Sequence, residues 1–229
     1  MLVAEFITIP SPGWPLEFGT EGNPSVVLVH DRYGRLPYLE SYATALASRG
    51  LFVTVPDLFN GVATIDDSGA DELSRDLDLG FALGALDDAV EIGRARALAR
   101  DLRSDKDSDV SKVGLIGFEL GGWVGLRLAQ SGNLDAIAVY SAGLGDDEAG
   151  IIPCPVLLNY SERGRWGTGD EPDRFVSRLK EMGTPVTRHT YAATSDIFAN
   201  ATLIERLDKN AAALAFARTT SFLQEQLGD

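Results

Sequence analysis

The sequence predicts an α/β protein, a mostly parallel twisted sheet with helices on both faces, and three observations carry that prediction. Short apolar runs rich in β-branched residues recur at Ser25 to His30, Leu51 to Val55, Val113 to Ile116, Ala136 to Tyr140 and Val156 to Tyr160. Continuous runs of this kind mark strands buried on both faces. Segments with helical spacing separate them, so parallel strands joined by right-handed crossovers follow. Third, Gly117-Phe118-Glu119-Leu120-Gly121-Gly122 joins one such run directly to the apolar stretch Trp123 to Ala129. Glycines on both sides of Glu119 permit a sharp, closely packed turn from strand to helix.

Leu2 to Ile9 alternates enough to open the chain as a strand, and the Pro/Gly-rich segment Pro10 to Pro15 ends it. Leu39 to Ser48 has helical spacing and stops at Arg49-Gly50, a glycine C-terminal signal. Residues 60 to 78 carry Asp66, Asp67, Asp71, Glu72, Asp76 and Asp78, and read as an exposed, solvated loop running into a helix. That helix extends from about Leu79 to Leu102, with Gly84 and Gly93 weakening it. Phe175 to Met182 reads as a helix, Val186 to Tyr191 as a strand and Leu203 to Leu227 as a long terminal helix. No repeat, low-complexity tract or linker divides the 229 residues, so one domain spanning 1 to 229 is expected.

A net charge of −14 argues against nucleic acid and anionic membrane surfaces, both of which recruit basic patches. No apolar run approaches the roughly 20 residues of a membrane span. Met1 to Pro15 lacks the layout of a signal peptide, so a cytoplasmic location is expected. Cys154 is the only cysteine, which excludes an intramolecular disulfide and a cysteine-based zinc site. Its expected role is that of a small buried hydrophobe.

Residues 117 to 122, in their strand–turn–helix context, resemble the G-x-S-x-G nucleophile elbow of α/β-hydrolases, with a carboxylate where the nucleophile belongs. Further stretches fall into the order of the dienelactone hydrolase family, a compact branch without a large cap domain. They are Val29-His30-Asp31-Arg32-Tyr33-Gly34, Ala45 to Gly50, Val55-Pro56-Asp57-Leu58-Phe59, and Tyr191 to Asn200 followed by Ala211-Ala212-Ala213. The resemblance covers most of the chain. It implies an α/β-hydrolase fold and an ancestral cysteine or serine, aspartate and histidine triad acting on lactones and esters. Carried over by position, the nucleophile falls on Glu119, the aspartate on Gly164 and the histidine on Asp196, so all three are replaced. Glu162 or Asp170 stands in for the aspartate only if the loop is rebuilt.

The resemblance also implies an oxyanion hole made by the backbone N–H groups of Leu120 and Arg32, and it places Asp31 beside the nucleophile. Glu119, Asp196 and Asp31 are therefore the expected catalytic carboxylates. Like charges held together raise one pKa, and a helix N-terminus favours ionised Glu119, which leaves Asp196 as the expected protonated member. Such a pair suits non-covalent acid–base chemistry on a small lactone, enol ester or carboxylated ring compound. The competing reading is an inert pseudo-hydrolase that binds a ligand or protein, with Arg163 and Arg165 neutralising the carboxylates. A third is a divalent-metal site of oxygen ligands, although no metal-loop spacing is present. His30, Tyr33, Glu162, Arg163, Trp166 and Phe198 are the expected pocket neighbours. His30 and His189 match no catalytic position, and Trp14 and Trp123 read as packing residues. No cofactor is implied.

Overall fold

A computed structural model describes residues 4–10, 14–98, 111–148 and 150–228. The core is a seven-stranded sheet in the order β2-β4-β3-β6-β7-β8-β9, formed by Leu16–Phe18 (β2), Ser25–Val29 (β3), Phe52–Val55 (β4), Val113–Phe118 (β6), Ala136–Tyr140 (β7), Val156–Ser161 (β8) and Val186–Tyr191 (β9). All neighbours run parallel except β2, which pairs antiparallel with β4 at the edge. The five apolar runs read from the sequence are these central strands, buried along their whole length. The chain passes from β3 to β4 on one side and then crosses to β6 on the other. The reversal between β3 and β6 creates a crevice at their carboxyl ends, the place where open α/β sheets bind ligands.

Helices cover both faces. Tyr38–Ala47 (α1) and Lys209–Leu227 (α6) pack Leu39, Leu46, Ala215 and Leu223 on one core with Ile116 and Phe118. Leu79–Leu98 (α3), Leu120–Ala129 (α4) and Glu171–Glu181 (α5) pack Leu86, Val90, Val124, Leu126 and Phe175 on the other with Leu115 and Val139. Alternate side chains of β6 thus feed opposite layers, as strand geometry dictates.

Several boundaries differ from expectation. The opening strand contracts to Ile7–Thr8 (β1), exposed and paired only with Val62–Ala63 (β5). Residues 2 and 3 of the expected strand and 99–102 of the expected third helix lie outside the described residues. Strand β2 was not anticipated, because a three-residue edge strand leaves almost no pattern. The terminal helix starts at Lys209 rather than Leu203, since Asp208 caps it by accepting the N–H groups of Asn210 and Ala211. Helix α5 begins at Glu171, where Pro172 and the acidic Asp173 favour a first turn.

The acidic segment holds a separate helix, Asp67–Arg75 (α2). Asp66 caps it by accepting the Gly69 N–H at 2.8 Å, and only Gly69 and Ala70 are buried. This helix roofs the crevice.

Candidate active site

Glu119 lies at the junction of β6 and α4 with φ 45° and ψ −105°, a left-handed-side conformation seldom adopted by a side-chain-bearing residue. Its N–H is held by the Tyr140 carbonyl at 2.7 Å, and the Trp123 N–H already returns to its carbonyl. Close packing sustains this strain. A Cβ on Gly121 would collide with the His30 carbonyl oxygen, and one on Gly117 would sit 2.5 Å from Gly122 Cα. The glycines therefore let the segment after β3 lie directly against the elbow.

That proximity determines the electrostatics. The Arg32 N–H donates to Glu119 Oε2 at 3.2 Å, and its guanidinium stands 3.6 Å from Oε1. One of the two amides expected to form the oxyanion hole, that of Arg32, is thus turned on the Glu119 side chain. Burial dominates nonetheless and pushes its pKa up to about 7, opposed by Arg32 and assisted by the nearby charge of Asp31. The raised pKa falls on the carboxylate expected to stay ionised. Desolvation outweighs the pull of the helix N-terminus at this position.

Asp196 reaches the same crevice from the loop after β9. Its Oδ1 accepts the Ser161 hydroxyl at 2.6 Å and its Oδ2 accepts the Arg165 N–H at 3.1 Å. The Gly164 position explains this placement. A Cβ there would overlap both Asp196 Oδ1 and Ser161 Oγ. Glycine at 164 and aspartate at 196 are therefore sterically coupled, each occupying or vacating the same space.

Both carboxylates line a cavity of about 660 Å³ with Arg32, Asp71, Arg75, Leu77, Leu79, Leu120, Trp123, Ser141, Ala142, Glu148, Arg165 and Trp166. No hydrogen bond joins Glu119 to Asp196, so they face one cavity without forming a shared-proton dyad. Trp166 is buried, stacks on Tyr160 and presses against Gly143, forming one wall.

The other expected residues lie elsewhere. Asp31 is buried beneath the site and accepts the Tyr33 N–H at 2.9 Å, the Asn200 amide at 2.8 Å and the Tyr38 hydroxyl at 3.1 Å. It anchors loops and acts on Glu119 only through space. His30 is fully buried. Its Nε2 accepts the Leu58 N–H at 3.0 Å, so Nδ1–H donates to the Asp31 carbonyl at 2.7 Å. Burial lowers its pKa and keeps it neutral. Tyr33 bonds Asp67 and Arg206, tethering α2. Phe198 packs in the core against Tyr140 and Tyr191. Glu162 is exposed, outside the cavity, and accepts the Ala193 N–H at 2.8 Å, while Asp170 pairs with Arg174. Neither rebuilds the third triad position. Arg163 is exposed and Arg165 pairs with Glu171 at 2.9 Å, so the arginine on Glu119 is Arg32. Among the described residues, no group of three or more His, Cys, Asp or Glu side chains is arranged to hold a metal ion.

Sequence reasoning missed Ser141, Ser161 and the α2 residues Asp71 and Arg75. Ser141 immediately follows β7 and Ser161 ends β8, so the rule that sites gather at carboxyl ends of strands would have found both. Nothing in the solvated acidic segment signalled that it folds over the crevice.

A mostly parallel sheet with a strained elbow after its central strand is the architecture of an α/β-hydrolase. The dienelactone hydrolase family model matches residues 17–227, and the chain belongs to that family. Among solved structures it is similar to a dienelactone hydrolase-like promiscuous phosphotriesterase from metagenomic libraries, at 18% identity, TM-score 0.70 and 99% coverage of each chain. A Klebsiella pneumoniae protein assigned as a dienelactone hydrolase gives 17%, 0.70, and 97% and 98% coverage. A cold-adapted esterase from an Arctic intertidal metagenomic library gives 16%, 0.65, and 91% and 84%. No curated protein sequence matches the chain.

Proposed function

We propose that this protein catalyses non-covalent acid–base hydrolysis of a small lactone, enol ester or carboxylated ring compound. The observation that carries the reading is Glu119, a carboxyl with its pKa raised to about 7 by burial, held at the strained elbow on the wall of a small-molecule-sized cavity. Near neutrality a large fraction of Glu119 is a carboxylic acid. Its O–H is suited to protonating a leaving oxygen or bonding a carbonyl oxygen, the task that backbone N–H donors perform in relatives with a free oxyanion hole. Asp196 is the complementary base on the other side of the cavity. The roles are thus the reverse of the sequence expectation, with Glu119 as acid and Asp196 as base.

Neither serine nor cysteine stands at the elbow, and the Arg32 amide already bonds a carboxylate, so an acyl-enzyme on residue 119 is not part of this mechanism. Leu77, Leu79, Trp123 and Trp166 offer an apolar bed for a ring, and Arg75, without an ion-pair partner among the described residues, supplies a cation at the wall. The test is turnover of α-angelica lactone and dihydrocoumarin by wild type and Glu119→Gln. Loss of turnover of about 10²-fold or more in a folded variant supports the reading. Unchanged turnover contradicts it.

A second reading, an inert pseudo-hydrolase that binds a ligand, is favoured by one observation: the Arg32 amide and guanidinium both satisfy Glu119 internally. On that reading Glu119→Gln breaks a structural ion pair, destabilising the fold by roughly 3–5 kcal/mol with no turnover to lose.

A further inference from the structure

Asp196 is connected to the cavity by a second route besides its own side chain. Ser161 Oγ donates to Asp196 Oδ1 at 2.6 Å, and Ser141 Oγ donates to Ser161 Oγ at 3.4 Å. Both hydroxyls are on buried residues, and Ser141 lines the cavity. All the donors point one way, from the cavity toward the carboxylate.

Two features set this chain apart from an incidental pair of serines. Ser141 has φ 49° and Glu119 φ 45°, so two of the four such side-chain-bearing residues among those described line the cavity. Strain of this kind persists where the surroundings enforce it and collects at working sites. The second feature is steric. Any side chain at Gly164 would fall on the Ser161–Asp196 hydrogen bond itself, so glycine at this position leaves open the space in which the chain of bonds forms.

We propose that Ser141, Ser161 and Asp196 form a proton relay in which Ser141 is the catalytic residue facing the reacting water and Ser161 and Asp196 are positioning and accepting groups behind it. The inference rests on the acid role proposed for Glu119. In the step, a cavity water gives a proton to Ser141 Oγ as its oxygen forms a bond to the ester carbonyl carbon. Ser141 passes its own proton to Ser161 Oγ, and Ser161 passes its proton to Asp196 Oδ1. As the carbonyl carbon–alkoxy oxygen bond breaks, Glu119 gives its proton to the departing oxygen. The ester and one water become acid and alcohol, Asp196 ends protonated and Glu119 ionised, and proton exchange with solvent restores both.

The test is hydrolysis of α-angelica lactone in H₂O and D₂O by wild type, Ser141→Ala, Ser161→Ala, Ser161→Thr and Glu119→Gln. The relay predicts a loss in kcat of about 10²-fold for each alanine variant with KM nearly unchanged. It predicts a curved dependence of the wild-type rate on deuterium fraction that becomes linear in Ser161→Ala, and partial rescue by Ser161→Thr. A purely structural role instead raises KM or lowers the melting temperature and leaves the isotope dependence unaltered, which overturns the relay. Covalent labelling of Ser141 by a fluorophosphonate probe overturns it as well, by making Ser141 a nucleophile. Full activity in Ser161→Ala with none in Glu119→Gln overturns the relay and leaves the acid role standing; the opposite pattern leaves the relay and removes the acid role. A wild type that turns over neither α-angelica lactone nor dihydrocoumarin overturns both.

Discussion

Glu119 puts a measurable signature on stability as well as on rate. Its folded pKa of about 7 lies above the ordinary glutamate value of 4.5, so the folded state holds the proton through the interval between them. Stability associated with this group is therefore complete below pH 4.5 and is lost as pH rises to 7, by about 3 kcal/mol in all. Glu119→Gln removes that decline. Chemical denaturation at pH 5 and pH 8 should show the variant gaining on wild type at the higher pH; a variant weaker than wild type at pH 8 supports the structural ion pair instead. The position of this residue was legible in the sequence because Glu119 stands inside a glycine-lined turn between a buried strand and an apolar helix. Its protonation state was not, because desolvation depends on packing that no motif reports. Asp196 was likewise legible by position, whereas its partner Ser161 required the vacancy at Gly164 to be seen in three dimensions.

Among the elements, α4 and α2 make opposite demands. Helix α4 starts from a rigid elbow, where Gly121 lets the His30 carbonyl approach its first turn. Gly121→Ala should lower the melting temperature and uncouple the Arg32 N–H from Glu119, removing a contact that holds the pKa down and so raising the carboxyl further above its ordinary value; a ¹³C NMR titration of carboxyl resonances reads this directly. Helix α2 buries little and is tied down by Tyr33, Arg32 and Arg206 acting on Asp67, with Arg32 also 3.7 Å from Asp71. Elements held by few apolar contacts open locally at low cost. Asp66→Ala removes the cap, so hydrogen exchange should accelerate in residues 67–75 while the central strands remain protected. The sequence announced strands and elbow through apolar continuity. It was nearly silent on α2, because a helix that caps itself and packs through Gly69 and Ala70 has no hydrophobic stripe to announce it.

The whole molecule is a conventional core carrying a carboxylate-lined cavity at the carboxyl ends of its strands. Val113 to Phe118 are buried throughout, and Leu115→Ala should cost about 2–5 kcal/mol through cavity formation. Cys154 offers a clean reporter of global opening. It is buried, with its thiol pKa pushed up to about 12 by burial, so thiol reagents should label it only at the rate of unfolding, and Leu115→Ala should accelerate that labelling. The membership of the dienelactone hydrolase family and the mostly parallel sheet depend on patterns distributed over the chain, which is why both could be anticipated. The chemistry depends on a few contacts at strand ends, where one altered residue reassigns its neighbours. The most direct measurement of the central claim is the pH dependence of kcat for α-angelica lactone hydrolysis. The account predicts a rate that falls above an apparent pKa of about 7, with that step absent and turnover lost in Glu119→Gln. A flat profile across neutrality, or a Glu119→Gln enzyme as fast as wild type, would contradict it.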